Sequence, residues 1–98
     1  MEPFTENVIT IIKSIPCGQV MSYGDIAKIA GNPRAARQVS RILHSMSVKH
    51  QLPWHRVINS RYEISIKDLG GANEQKRLLE LEGHSFIGFK LLNPKSDT

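Results

Sequence analysis

The sequence predicts a mainly helical domain with a few short strands, of helix-turn-helix, winged-helix-like type. Three observations predict it. Apolar residues recur at helical spacing in well-separated segments, a tight Gly-containing turn joins two of the helices, and the extended stretches are brief. With 98 residues and 11.0 kDa, the chain is expected to form one domain around one core.

The first helix follows from Val8, Ile11, Ile12 and Ile15, which fall at i, i+3, i+4 and i+7 and form one apolar stripe. Thr5 precedes them as the expected N-cap, which puts the helix at about 5 to 15. Pro16-Cys17-Gly18-Gln19 then ends the pattern, because proline lacks an amide donor and glycine frees the backbone for a turn. Ser22 with Asp25 three residues later resembles a capping box and predicts a short second helix through Asp25 to Ala30.

Gly31-Asn32-Pro33 closes that helix and opens the next: glycine suits the C′ position, asparagine can cap, and proline is pre-set for a first helical turn. The third helix is expected over about 33 to 47. Ala36, Val39, Leu43 and Met46 lie along one side of it, and Arg34, Arg37, Arg41 and His44 along roughly the opposite side. Val57-Ile58 is a short apolar stretch expected to be extended and to pair with Glu63 to Ile66. Gly70-Gly71 predicts a flexible loop before a helix from about Asn73 to Glu82, with Gly83 as its C′ residue. His84 to Leu92 alternates weakly and predicts a terminal strand, and Asn93 to Thr98 is expected to fray.

Charge is distributed unevenly along this frame. The net charge is +4, but the segment from Arg34 to Lys67 holds seven basic residues against the single carboxylate Glu63, a net +6. The remaining chain is slightly acidic. A solvated basic face without a partner fits the overall charge as well as a polyanionic partner does. The third helix favours nucleic acid, since three arginines share its face without one intervening carboxylate. Cys17 is the only cysteine, which excludes an internal disulfide framework and a Cys-rich zinc site, so neither metal nor cofactor is expected. No apolar run reaches the roughly 18 residues of a membrane span. The first residues lack the order of a signal peptide, so the expected location is cytoplasmic and nucleoid-associated in a bacterium, or nuclear in a eukaryote.

Pro53-Trp54-His55-Arg56-Val57 is the informative cluster. Taken alone, a Trp-His pair reads as a packed aromatic beside a surface imidazole. Its neighbours change that: Ile15-Pro16-Cys17-Gly18-Gln19-Val20, Ser22-Tyr23-Gly24-Asp25-Ile26-Ala27, Gly31-Asn32-Pro33-Arg34-Ala35-Ala36-Arg37-Gln38-Val39, and Leu78 to Gly83. With these segments the chain resembles the DNA-binding domain of the O6-alkylguanine-DNA alkyltransferase family, and more narrowly the alkyltransferase-like proteins. The resemblance covers about 80 residues in order and spacing.

The resemblance implies a specific departure. In active members the second position of Pro-x-His-Arg-Val is a cysteine whose thiolate takes the alkyl group from guanine. This chain has Trp54, which offers no thiol for His55 and Glu82 to activate, and Met46 replaces the asparagine common in the active-site network. Loss of alkyl transfer is implied, with His55 and Glu82 left as a structural hydrogen bond. Cys17 lies in the Ile-Pro-x-Gly turn and away from the acceptor position.

What the resemblance leaves is recognition of double-stranded DNA containing O6-alkylguanine by a monomer. Arg37 is expected to enter the base stack in place of a flipped nucleotide, and Tyr23 to meet that nucleotide's phosphate. Arg34 and Arg41 add phosphate contacts on a helix laid in the minor groove, where the small Ala35 and Ala36 allow close approach. Trp54 and His55 would line the lesion pocket with Glu82, with Arg56 and Lys67 adding positive potential at its rim. Nucleotide-excision repair damage-recognition proteins are the implied downstream partners. The competing reading is a helix-turn-helix transcription regulator that binds DNA without regard to alkylation, and a third is an enzyme, either a residual alkyltransferase or a hydrolase using His55 and Glu82.

Overall fold

The computed structural model describes residues 2–92; the stretch from Asn93 to Thr98, expected to fray, lies outside the described residues. The chain runs α1 (Pro3–Lys13), β1 (Met21–Ser22), α2 (Tyr23–Ile29), α3 (Ala36–Met46), a 3₁₀ turn (Trp54–Arg56), β2 (Val57–Ile58), α4 (Leu69–Leu81), β3 (Ser85–Ile87) and β4 (Lys90–Leu92). It is mainly helical with a few short strands, as the sequence predicts. No helix among the described residues is long and apolar enough to cross a membrane.

The first helix begins earlier than Thr5 would place it. Glu2 occupies the N-cap and Pro3 the first turn, where a missing amide hydrogen costs nothing because that donor has no partner within a helix. Val8, Ile9 and Ile12 bury its inner stripe. Ser22 caps α2 as expected, its hydroxyl accepting from the Asp25 amide at 3.0 Å. Asn32 acts one step away from the expected cap: its side chain accepts from the Arg34 amide at 3.2 Å, shaping a turn, and α3 starts only at Ala36. Helices α1, α2 and α3 pack around Val8, Ile12, Ile26, Ala27 and Val39, each fully buried. Those five side chains remove enough apolar surface to contribute about 1.5–3 kcal/mol apiece for the larger ones.

β2 does not pair with Glu63–Ile66. It lies parallel to β1, with Met21 opposite Val57 and Ser22 opposite Ile58. Glu63 instead bridges Lys90. The reason lies in burial: β2 has both residues covered, Val57 in the helical core and Ile58 in a second cluster with Ile64, Ala72 and Leu91. Alternate strand residues point to opposite faces, so a two-residue strand between the two clusters serves both. The pairing also ties the 3₁₀ turn before β2 to the start of α2 after β1.

Gly70 and Gly71 are not a loop. They form the first turn of α4, whose N-cap Asp68 accepts from the Gly71 amide at 3.0 Å. That capping carboxylate outweighs the poor helix propensity of two glycines. Gly83 ends α4 at φ 100°, as its position predicts. The terminal strand proves to be an antiparallel hairpin of β3 and β4, held on α4 in part by Lys76, whose Nζ lies 5.5 Å from the Phe89 ring and 6.0 Å from that of Phe86.

Candidate functional site

Two features meet at α3: a cationic outer face and an open cleft. On the face, Arg37, Arg41 and His44 are exposed, and Arg34 is exposed in the turn just before. Ala36 is half-buried. Ala35 packs inward at 8% exposure, so the core sets its size as much as any surface approach does.

The cleft has a volume of about 260 Å³. From α3 come Ser40, Leu43, His44 and Ser47, an i, i+3, i+4, i+7 stripe turned one step from the arginine row. Tyr23 enters from the start of α2, Trp54 from the 3₁₀ turn, Ile66 from the following loop and Gln75 from α4. Burial raises the Tyr23 hydroxyl above its ordinary range, and a hydrogen bond with Ser40 partly offsets this. Among the described residues no group of three His, Cys, Asp or Glu side chains is placed to hold a metal.

Behind the cleft wall lies a polar clamp centred on Glu82. His55 Nε2 is 2.8 Å from Glu82 Oε2, and Arg56 donates from Nη2 to the same oxygen at 2.8 Å and from Nε to Oε1 at 3.1 Å. Arg56 also donates to the Ile15 carbonyl at 2.9 Å, and the Gly18 amide donates to Glu82 Oε1 at 3.2 Å. Gly18 sits at φ 88°, a backbone state that glycine reaches without strain. Burial by itself would raise the Glu82 carboxyl, but the bonds from Arg56, His55 and the Gly18 amide outweigh it and hold the carboxyl at about 2. The same carboxylate raises Arg56 further.

This arrangement corrects one expectation. Arg56 supplies no free positive charge to a rim, because its planar fork is engaged by a carboxylate of matching geometry. It joins the Pro16–Gly18 turn, the 3₁₀ turn and the end of α4. Of the expected pocket residues, Trp54 alone lines the cleft. His55 stands edge-on to it, with ring centroids 6.2 Å apart at 84°, so the clamp orients the indole from behind. Lys67 is exposed beside Ile66 and is not among the lining side chains.

Gln75 carries a role that the sequence gives no sign of. At 2% exposure it donates from Nε2 to the Val57 carbonyl at 2.8 Å and to the His55 carbonyl at 3.1 Å, pinning the 3₁₀ turn to α4. A glutamine inside a helix flanked by Glu74 and Lys76 reads as solvent-facing. Ser40 and Ser47 carried a faint signal, since they flank Leu43 and His44 at helical spacing. Cys17 is exposed in its turn beside Arg56, outside the cleft lining.

Residues 3–84 match the family model described as 6-O-methylguanine DNA methyltransferase, DNA binding domain. The chain belongs to this alkylguanine transferase family. Among its relatives within the family, a DNA base-flipping protein of Vibrio parahaemolyticus is 45% identical over 85 residues, covering 85% of this chain and 82% of the relative. Alkyltransferase-like protein 1 of Schizosaccharomyces pombe is 43% identical over 84 residues, covering 85% of this chain and 78% of the relative. The crystal structure of S. pombe Atl1 in complex with damaged DNA containing O6-carboxymethylguanine superposes with a TM-score of 0.78 at 41% identity, covering 89% of this chain and 82% of that one. Within this alkyltransferase family, the chain is of the alkyltransferase-like kind, and residues 3–84 match the family's DNA-binding domain.

Proposed function

We propose that this family member is a non-enzymatic reader of O6-alkylguanine in duplex DNA, which flips the damaged nucleotide, holds it, and marks it for nucleotide-excision repair. The observation that carries the proposal is Trp54. It occupies the slot after Pro53 in Pro-x-His-Arg-Val, lines the cleft, and is braced by the His55–Glu82 clamp. A nucleophile there would need a thiol, hydroxyl, amine, imidazole or carboxylate, and an indole, whose nitrogen lone pair belongs to the ring, offers none of them. The clamp that could poise a thiol is retained as scaffolding for the ring.

The remaining geometry suits binding. Arg37, exposed on α3 and free of any carboxylate partner among the described residues, is available to fill the gap left by an extruded base, and its planar cation stacks well. Arg34 and Arg41 extend the cationic row toward phosphates. Tyr23 stands where the cleft meets the start of α2, suited to the phosphate of the rotated nucleotide. Extrusion costs a few kcal/mol of unstacking, less where alkylation has already weakened pairing. Leu43, Trp54 and Ile66 offer the apolar contact that offsets it. The likeness to a relative crystallised with O6-carboxymethylguanine DNA supports the same class of target.

Duplex carrying a radiolabelled methyl group on guanine O6 tests the proposal. Tight binding with all label still on the DNA is the expected result. Label found on the protein, or released into solution, would overturn it.

A further inference from the structure

We infer that His44 makes the cleft selective for O6 adducts that carry a negative charge, so that a carboxyalkyl group is held more tightly than its neutral isostere. The inference rests on the lesion-reading proposal above and goes on to name the adduct class. Its basis is where His44 sits. Counted along α3, it belongs to two stripes at once: it ends the Arg34, Arg37, Arg41 row and stands beside Leu43 in the stripe that lines the cleft. Its exposed imidazole therefore lies at the lip where the cationic face turns into the cavity.

The lining around it suits an anion. It contains no carboxylate, the Ser47 hydroxyl can donate, and the bonded Tyr23–Ser40 pair keeps one hydroxyl proton free. The nearest carboxylate in the clamp, Glu82, does not line the cleft and is bound by Arg56 and His55. An imidazole donates a hydrogen bond in either protonation state and adds a positive charge when protonated. Leu43 gives the methylene of such an adduct an apolar surface to rest on. A carboxylate entering this cavity meets donors and, when His44 is protonated, a cation, and no carboxylate stands among the lining side chains. An amide of the same shape gains only the hydrogen bonds.

Fluorescence anisotropy at about pH 6 with three otherwise identical duplexes reads this out. The duplexes carry guanine, O6-carboxymethylguanine or O6-carbamoylmethylguanine. The protein should prefer the carboxymethyl over the carbamoylmethyl adduct by about fivefold, the upper range for a solvent-reached ion pair. H44Q should bring that ratio to near one, and H44R should keep it. A ratio near one in the unaltered protein, or a ratio unchanged in H44Q, overturns the inference. Should neither adduct bind more tightly than plain guanine, the lesion-reading proposal fails and takes this inference with it. General damage to the fold weakens both adduct complexes together and leaves the ratio standing, so the ratio isolates the charge-reading role.

Discussion

Replacing Glu82 by glutamine tests the clamp, because the Pro16–Gly18 turn, the 3₁₀ turn and the end of α4 are joined through that one carboxylate. Its ordinary value of 4.5 falls to about 2 in the folded chain. At 1.36 kcal/mol per pH unit, that drop corresponds to roughly 3 kcal/mol of stability supplied by the charged form. The Glu82 side chain is 12% exposed and that of Arg56 19%, so solvent screens the pair only in part. Breaking one partner of such a pair leaves the other charge poorly solvated, at a cost of about the same size. Because the folded carboxyl ionises below the unfolded one, this contribution is fully present above about pH 4.5 and fades as the pH falls toward about 2. Urea unfolding of both proteins should show E82Q less stable by about 3 kcal/mol at neutral pH, with a melting temperature lower by roughly 12–24 °C. The gap should narrow steadily below about pH 4.5. A gap under about 1 kcal/mol at neutral pH, or one that persists undiminished near pH 2, would refute the reasoning.

Other changes probe the remaining parts. Gln75→Leu leaves the His55 and Val57 carbonyls without their donor and should cost about 2–4 kcal/mol in urea unfolding, since each orphaned group costs about 1–3 kcal/mol. R37A should weaken binding to alkylated duplex by roughly tenfold or more, the worth of one lost stacking contact, and lower the 2-aminopurine fluorescence gain at the target site. Trp54→Ala should reduce adduct affinity more than it reduces affinity for unmodified DNA, read by anisotropy on the two duplexes. G18A forces a side chain onto a backbone at φ 88° and should destabilise the fold by about 1–2 kcal/mol, read by thermal melting.

Much of the fold was legible because its signals are local. The α1 stripe, the Ser22 cap, the Gly31-Asn32-Pro33 break and Gly83 each act within one turn of chain, so their residues carry the information by themselves. The strand-pairing error falls where distant chain decides. Val57-Ile58 pairs with Met21-Ser22 because two separate apolar clusters need covering, which no window around β2 reveals. Gly70-Gly71 looks like a loop until Asp68 is seen to cap the helix they begin. At the site, the arginine row and Trp54 could be read from spacing and motif. The use made of Arg56 could not, since its partners Ile15 and Glu82 lie 41 and 26 positions away. Gln75 was hidden for the same reason: both its acceptors are main-chain carbonyls, and a backbone atom leaves no mark in a sequence.

Affinity for two duplexes that differ only in an O6-alkyl group on one guanine tests the central claim most directly. A lesion reader binds the alkylated duplex well over tenfold more tightly at the same salt concentration, with both affinities falling as salt rises. Equal affinity for the two duplexes, at any salt, would contradict the account and leave a cationic helix that grips DNA without seeing damage.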